Sequence, residues 1–156
     1  MIDMLVRLYD LPDSSELYRK IDAQGIILRR ARAFETHTLC AFARENFSEK
    51  WASEIAVAAT RQPVSCWIAT REKQVLGFSC YETTNRGFFG PTGVIESARG
   101  TGLGKALLFK ALESLRDIGY AYGIIGGVGP RDFYAKNCGA IEIPGSDPGV
   151  YADILP

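Results

Sequence analysis

One stretch, Gly93-Val-Ile-Glu-Ser-Ala-Arg99-Gly-Thr-Gly102-Leu-Gly104-Lys-Ala-Leu-Leu108, sets what this chain can fold into. A short apolar run breaks there into a glycine-rich loop, and the loop opens an amphipathic helix. The first N–H groups of a helix have no intrahelical partner, and the peptide dipoles place about half a positive charge at that end. Glycines let a ligand reach the main chain, so such a turn holds a phosphate or pyrophosphate. The helix puts Leu103, Leu107, Ala111, Leu112, Leu115 and Ile118 on one side, with Lys105, Lys110, Glu113, Arg116 and Asp117 around the rest, and Gly119 ends it. That face needs a sheet. Phe88 to Ile95 before the loop and Tyr120 to Val128 after the helix read as strands, and strand, helix and strand make a crossover with parallel neighbours.

The rest of the chain supplies the sheet. Met4 to Leu11 has strand composition, Pro12 stops it, and Asp13-x-x-Glu16 resembles a capping box opening a short helix that Gly25 ends. Ile26 to Arg32 reads as a strand. Glu35 to Arg61 contains no Gly or Pro, and its apolar residues recur at helical spacing, giving two helices jointed near Asn46 to Ser48, the second capped by Ser48. Ser65 to Thr70 and Val75 to Thr83 flank a hairpin turn at Arg71-Glu-Lys-Gln74, and Asn85-Arg86-Gly87 turns the chain into the strand before the loop. Pro130 opens a short helix to Asn137, and Ala140 to Ile143 and Val150 to Leu155 read as closing strands. The expected fold is α/β (α+β): a mixed, mostly antiparallel sheet of about seven strands with helices on both faces.

With 156 residues, 47% of them hydrophobic, the chain builds one core and not two, so residues 1–156 read as a single domain. Eighteen basic and eighteen acidic residues balance without a run of either sign, which argues against nucleic acid or a membrane surface as partner. Cys40, Cys66, Cys80 and Cys138 lack C-x-x-C spacing and His37 is the only histidine, so no metal site is expected. The N-terminus has no signal-peptide pattern and no segment reaches a membrane span, so a cytoplasmic location is expected.

Spacing separates the readings of the glycine loop. A dinucleotide-binding G-x-G-x-x-G needs glycine where Lys105 stands, and a nucleotide P-loop needs Ser or Thr where Ala106 stands. Arg99-x-x-Gly102-x-Gly104 instead matches the R/Q-x-x-G-x-G/A signature of the GCN5-related N-acetyltransferases, and the chain resembles that family over nearly its whole length. Ile26 to Arg32 resembles the family's first strand, which makes residues 1–24 an extension and 26–155 the common core. Gly90, Pro91 and Gly93 interrupt one strand, and Gly123, Gly126, Gly127 and Gly129 the other, so the two can splay. Gly129 to Ala140 keeps Tyr134, Lys136 and Gly139 of the family's N-x-x-A-x-x-x-Y-x-K-x-G-F pattern, with Gly127, Pro130 and Ala140 departing from it.

The resemblance implies transfer of an acetyl group from acetyl-CoA to a primary amine. Arg99, Gly100, Thr101, Gly102, Leu103, Gly104, Lys105 and Ala106 would hold the pyrophosphate, and Thr92, Val94 and Ile95 the pantetheine arm. An N–H near Val94 or Ile95 would polarise the thioester carbonyl, and Tyr134 would protonate the leaving thiolate. Glu82 and Glu96, at strand ends, are the candidates for relaying the amine's proton. Trp51, Trp67, Tyr81, Phe88 and Phe89 are candidates for an acceptor pocket. Neutral overall charge and aromatic lining favour a small-molecule acceptor, and a homodimer is compatible with the pattern. A non-catalytic acyl-CoA sensor and a purely structural domain remain open alternatives.

Overall fold

The computed structural model describes residues 1–156. Seven strands form one sheet: β1 (Met4–Arg7), β2 (Ile27–Arg30), β3 (Cys66–Arg71), β4 (Gln74–Tyr81), β5 (Phe88–Val94), β6 (Tyr122–Ile125) and β7 (Ile141–Glu142). Their order is β2-β3-β4-β5-β6-β1-β7, and every neighbouring pair is antiparallel except β5 and β6. Five helices, α1 (Ser15–Ala23), α2 (Thr36–Asn46), α3 (Glu49–Ala59), α4 (Leu103–Ile118) and α5 (Arg131–Cys138), cover both faces. None is long and apolar enough to cross a membrane.

Local chemistry accounts for the boundaries. The expected capping box does not form: Ser14 stands at the N-cap of α1 without a side-chain cap, Asp13, one residue earlier, accepts from Ser15 N at 3.0 Å through Oδ1, and Glu16 leans toward Lys20 at 3.7 Å. Ser48 Oγ accepts from Trp51 N at 3.2 Å and starts α3. Glu72 and Lys73 both take positive φ, 50° and 64°, which turns β3 into β4 with the twist a two-residue hairpin needs.

Alternation along the strands separates the core into faces. Cys66, Ile68, Phe78 and Cys80 pack under α2 and α3 with Leu39, Ala43, Ala52 and Ile55. On the other face α4 is buried along most of its length, against Met4, Val6 and Leu8 at one end and Ile21 and Ala69 at the other. Ile118, expected in that face, is instead 57% exposed, at the last residue of α4.

One expectation for the ends is met in its elements and one is corrected. The first 24 residues carry the expected strand and helix, and β1 lies inside the sheet, pairing with β6 over Met4–Arg7 and with β7 through Met4 and Leu5. Val150 to Leu155 forms no strand. Pro148 precedes one helical turn, Gly149–Tyr151, which folds the chain back so that the Tyr151 ring packs on Gly126 and Gly127.

Candidate active site

β5 and β6 pair only through Phe88↔Ile124 and Phe89↔Ile125. Past Phe89 the two strands part, because Pro91 has no N–H to donate and the chain after β6 bends at Gly127, whose φ is +56°. The bend is pinned by the N-terminal strand: Gly127 N donates to Asp3 Oδ1 at 2.8 Å and Val128 N to the Ile2 carbonyl at 2.9 Å. A cavity of about 730 Å³ fills the gap. Trp51 and Glu54 of α3 line it from one face of the sheet, and Gly104 of α4 with Phe133 and Tyr134 of α5 from the other. The opening therefore passes through the sheet.

The glycine loop lies at the α4 end of this cleft. Gly102 precedes α4 with φ +86°, a left-handed conformation that turns the chain into the helix. Ala106 N donates to the Gly102 carbonyl at 3.0 Å, so the donors left for a ligand are the N–H groups of Leu103, Gly104 and Lys105. Ala106 is fully buried and contributes packing. Arg99 and Gly104 line the cavity, and Arg99 Nε donates to the Val94 carbonyl at 3.2 Å, which ties the loop to the end of β5. Lys105 leans back along α4, its Nζ 5.9 Å from the Phe109 ring centroid. Thr101 Oγ1 closes the loop on the Ala98 carbonyl at 2.7 Å.

Along β5 the two expected backbone donors separate. Ile95 N is engaged by the Leu76 carbonyl at 2.9 Å. Alternate residues of an antiparallel ladder face its partner, so with Val94 opposite Gly77 and Thr92 opposite Ser79, their N–H groups face the open side toward β6. Thr92 and Val94 both line the cavity, and Ile95 does not.

Of the expected acid and base residues, the cavity gathers only Tyr134. This tyrosine is 7% exposed, packed edge-on against Phe89 and Phe133 with centroids 6.1 and 5.2 Å away. Burial pushes its phenol up to about 12, so it carries its proton at neutral pH. Glu82 lies outside the cavity: it accepts from Gly87 N and, at 3.3 Å, from Tyr120 Oη, bracing the turn between β4 and β5. Glu96 is exposed on the turn Glu96–Ala98 and does not line the cavity. Among the aromatic candidates Trp51 and Phe89 reach the cavity, whereas Trp67 and Tyr81 sandwich Arg30 elsewhere.

Two titratable side chains lining the cavity escape the sequence reading. Glu54 interrupts the apolar face of α3 between Trp51 and Ala58, and a charge in that stripe was the available signal. Its carboxyl accepts from Thr84 Oγ1, and burial raises its affinity for a proton. Tyr151 comes from the last helical turn and lies over Gly126, where a Cβ would stand 2.1 Å from the phenol oxygen. Burial, with Asp3 and Glu54 adding negative charge, pushes that phenol up to about 12.

The model of the acetyltransferase (GNAT) family matches residues 30–140, more than two thirds of the chain. No curated protein matches the chain in sequence. Its fold is similar to the GCN5-related glucosamine N-acetyltransferase region of a fungal multi-domain GH3 β-N-acetylglucosaminidase, with TM-score 0.74 and 17% identity over 91% of this chain and 19% of that one. It is also similar to a GCN5-related N-acetyltransferase from Sphaerobacter thermophilus, with TM-score 0.67 and 17% identity over 91% and 48%, and to one from Kribbella flavida, with 0.60 and 15% over 92% and 58%. The chain spans less than two thirds of the length of each. The mixed sheet with its one parallel pair, the cleft at that pair and the family match lead to one conclusion: the chain belongs to the acetyltransferase (GNAT) family.

Proposed function

We propose that this protein transfers an acetyl group from acetyl-CoA to a primary amine of a small acceptor, by direct attack. The observation that carries the reading is the cleft through the sheet, with free helix N–H groups at one mouth and a buried phenol on its wall. The N–H groups of Leu103, Gly104 and Lys105, with Arg99 at the mouth, suit a pyrophosphate. The N–H groups of Thr92 and Val94 suit the amides of a pantetheine arm laid along β5. Val94 N–H is the donor for the thioester oxygen as it becomes an oxyanion, and one such donor contributes about 3 kcal/mol.

In this reading the amine lone pair attacks the carbonyl carbon and the C=O electron pair moves to oxygen. The tetrahedral intermediate then collapses, the C–S bond breaks, and Tyr134 gives its proton to the departing sulfur. A chain with eighteen charges of each sign has no acidic tract for a basic protein tail, which supports a small acceptor. Four free thiols support a reducing, cytoplasmic setting.

Titration calorimetry and thermal shift with acetyl-CoA test the first step. Ligand at about 100 times its dissociation constant should add roughly 2.7 kcal/mol of stability. Absence of both heat and shift up to millimolar ligand overturns the reading. Thiol release over a broad amine screen then tests the transfer itself.

A further inference from the structure

Glu54 is the only acidic residue lining the cavity, and no lysine or arginine pairs with it. One carboxyl oxygen accepts from Thr84 Oγ1; the other has no protein partner. A partly buried carboxylate without a cation is costly, and proteins ordinarily pair such charges or neutralise them. The groups around it offer no remedy. Tyr151 and Cys80 are uncharged at neutral pH, Asp3 is another acid, and the Met1 ammonium is already held by Asp147 at 2.7 Å. The cavity is polarised as a result, with Arg99 at the α4 mouth and Glu54 on the α3 wall. Trp51 and Tyr151 stand on the same wall, and aromatic faces attract cations.

Resting on the acetyl-CoA reading above, we infer that Glu54 is the acceptor subsite: its carboxylate binds the ammonium of a small organic amine and takes the proton whose departure frees the nitrogen lone pair for attack. The proton count closes, because the ammonium supplies one proton to Glu54 and thence to solvent, the attacking nitrogen sheds a second to solvent water as the amide forms, and the thiolate gains the one Tyr134 gives. Tyr134 regains its proton from solvent. The same charges select the acceptor. An amine bearing a carboxylate on the adjacent carbon, as a free α-amino acid does, would set that carboxylate against Glu54. Simple alkyl, aryl-alkyl or polyamine acceptors satisfy the wall.

A probe that requires no knowledge of the natural acceptor tests this. S-(2-aminoethyl)-coenzyme A carries an ammonium just beyond the sulfur, and S-propyl-coenzyme A is its neutral counterpart; both are stable thioethers. Calorimetry on the wild-type protein should show the aminoethyl compound binding about tenfold tighter. That preference should collapse in Glu54→Gln, with S-propyl-coenzyme A affinity within a few fold of wild type, and persist in Glu45→Gln on exposed α2. Equal binding of the two compounds by the wild type overturns the assignment of Glu54 while leaving the cofactor reading standing. A preference that survives Glu54→Gln overturns it as well. Loss of S-propyl-coenzyme A binding in Glu54→Gln makes Glu54 a structural residue, and failure of both compounds with the wild type overturns the cofactor reading itself.

Discussion

Two phenols, Tyr134 and Tyr151, stand on the same cavity with similarly raised proton affinities, and only their positions divide the work. Tyr134 lies on the α4 side with Phe89 and Phe133, where the sulfur would leave; Tyr151 lies over Gly126 on the α3 side, with Glu54. A coenzyme A thiol resembles cysteine, with a pKa of about 8.5, so protonation assists its departure without being indispensable. Tyr134→Phe should therefore lower kcat by roughly 10- to 1000-fold and leave acetyl-CoA affinity within a few fold, since the ring and its packing remain. Tyr151→Phe should leave kcat near wild type. The reverse pattern in steady-state kinetics would move the acid to the acceptor side. Glu54 yields a prediction of opposite character. Its folded proton affinity is raised, so the ionised form opposes folding: that cost is absent below the unfolded value of about 4.3 and grows as pH rises through the folded value. Glu54→Gln should raise Tm at pH 8 and lose that advantage at pH 4, measured by differential scanning calorimetry. A variant less stable at pH 8 would mean that the bond from Thr84 outweighs burial.

At the scale of elements, α4 and the β3–β4 hairpin were legible because their signals are local. Gly102 at a left-handed position, Gly119 past the last turn and the positive φ values of Glu72 and Lys73 are facts about a few consecutive residues. Which N–H groups remain free was not legible, because it depends on a neighbouring strand: Leu76 takes up Ile95 and leaves Val94. Glu54 left a trace as a charge in an apolar stripe. Tyr151 left none, since its neighbours Val150 and Ile154 have strand composition and only tertiary packing seats it on Gly126. The loop itself offers a test that separates binding from folding. Gly104 has nothing nearer its absent Cβ than Val94 Cγ2 at 3.9 Å and lies in the first turn of α4. Replacing a helical glycine stabilises by about 0.5–1 kcal/mol, and an acid in the first turn adds about 0.3–1 kcal/mol. The same acid repels a pyrophosphate. Gly104→Glu should match or exceed the wild type in thermal stability yet show no thermal shift with acetyl-CoA; a normal shift would make the loop a turn and nothing more.

For the whole molecule, the decisive element is the one that lay outside the family match. Residues 1–29 precede the matched segment, yet β1 occupies an internal place in the sheet and Asp3 and Ile2 hold the bend beside the cleft. Met4, Val6, Leu8 and Ile21 are each at most 2% exposed. Burying a side chain of this kind contributes about 1.5–3 kcal/mol, so the four together approach the 5–15 kcal/mol that ordinarily separates folded from unfolded domains. Deleting residues 1–24 should accordingly leave an unfolded chain, and would also strand β7 without a partner. A gentler change tests whether the sheet is one cooperative unit. Leu8→Ala should cost about 2–5 kcal/mol at the β1 end. Trp51 and Trp67 lie on α3 and β3, across the β5–β6 cleft from β1 in the order of the sheet, so their fluorescence reports the part of the sheet beyond that cleft. In urea, fluorescence and far-UV circular dichroism should shift to the same lower midpoint with unchanged slope, because strands joined edge to edge through β4, β5 and β6 lose their support together. A circular-dichroism transition that moves while the tryptophan transition stays would show that β6, β1 and β7 form a separable unit and that the cleft lies on the seam between two bodies.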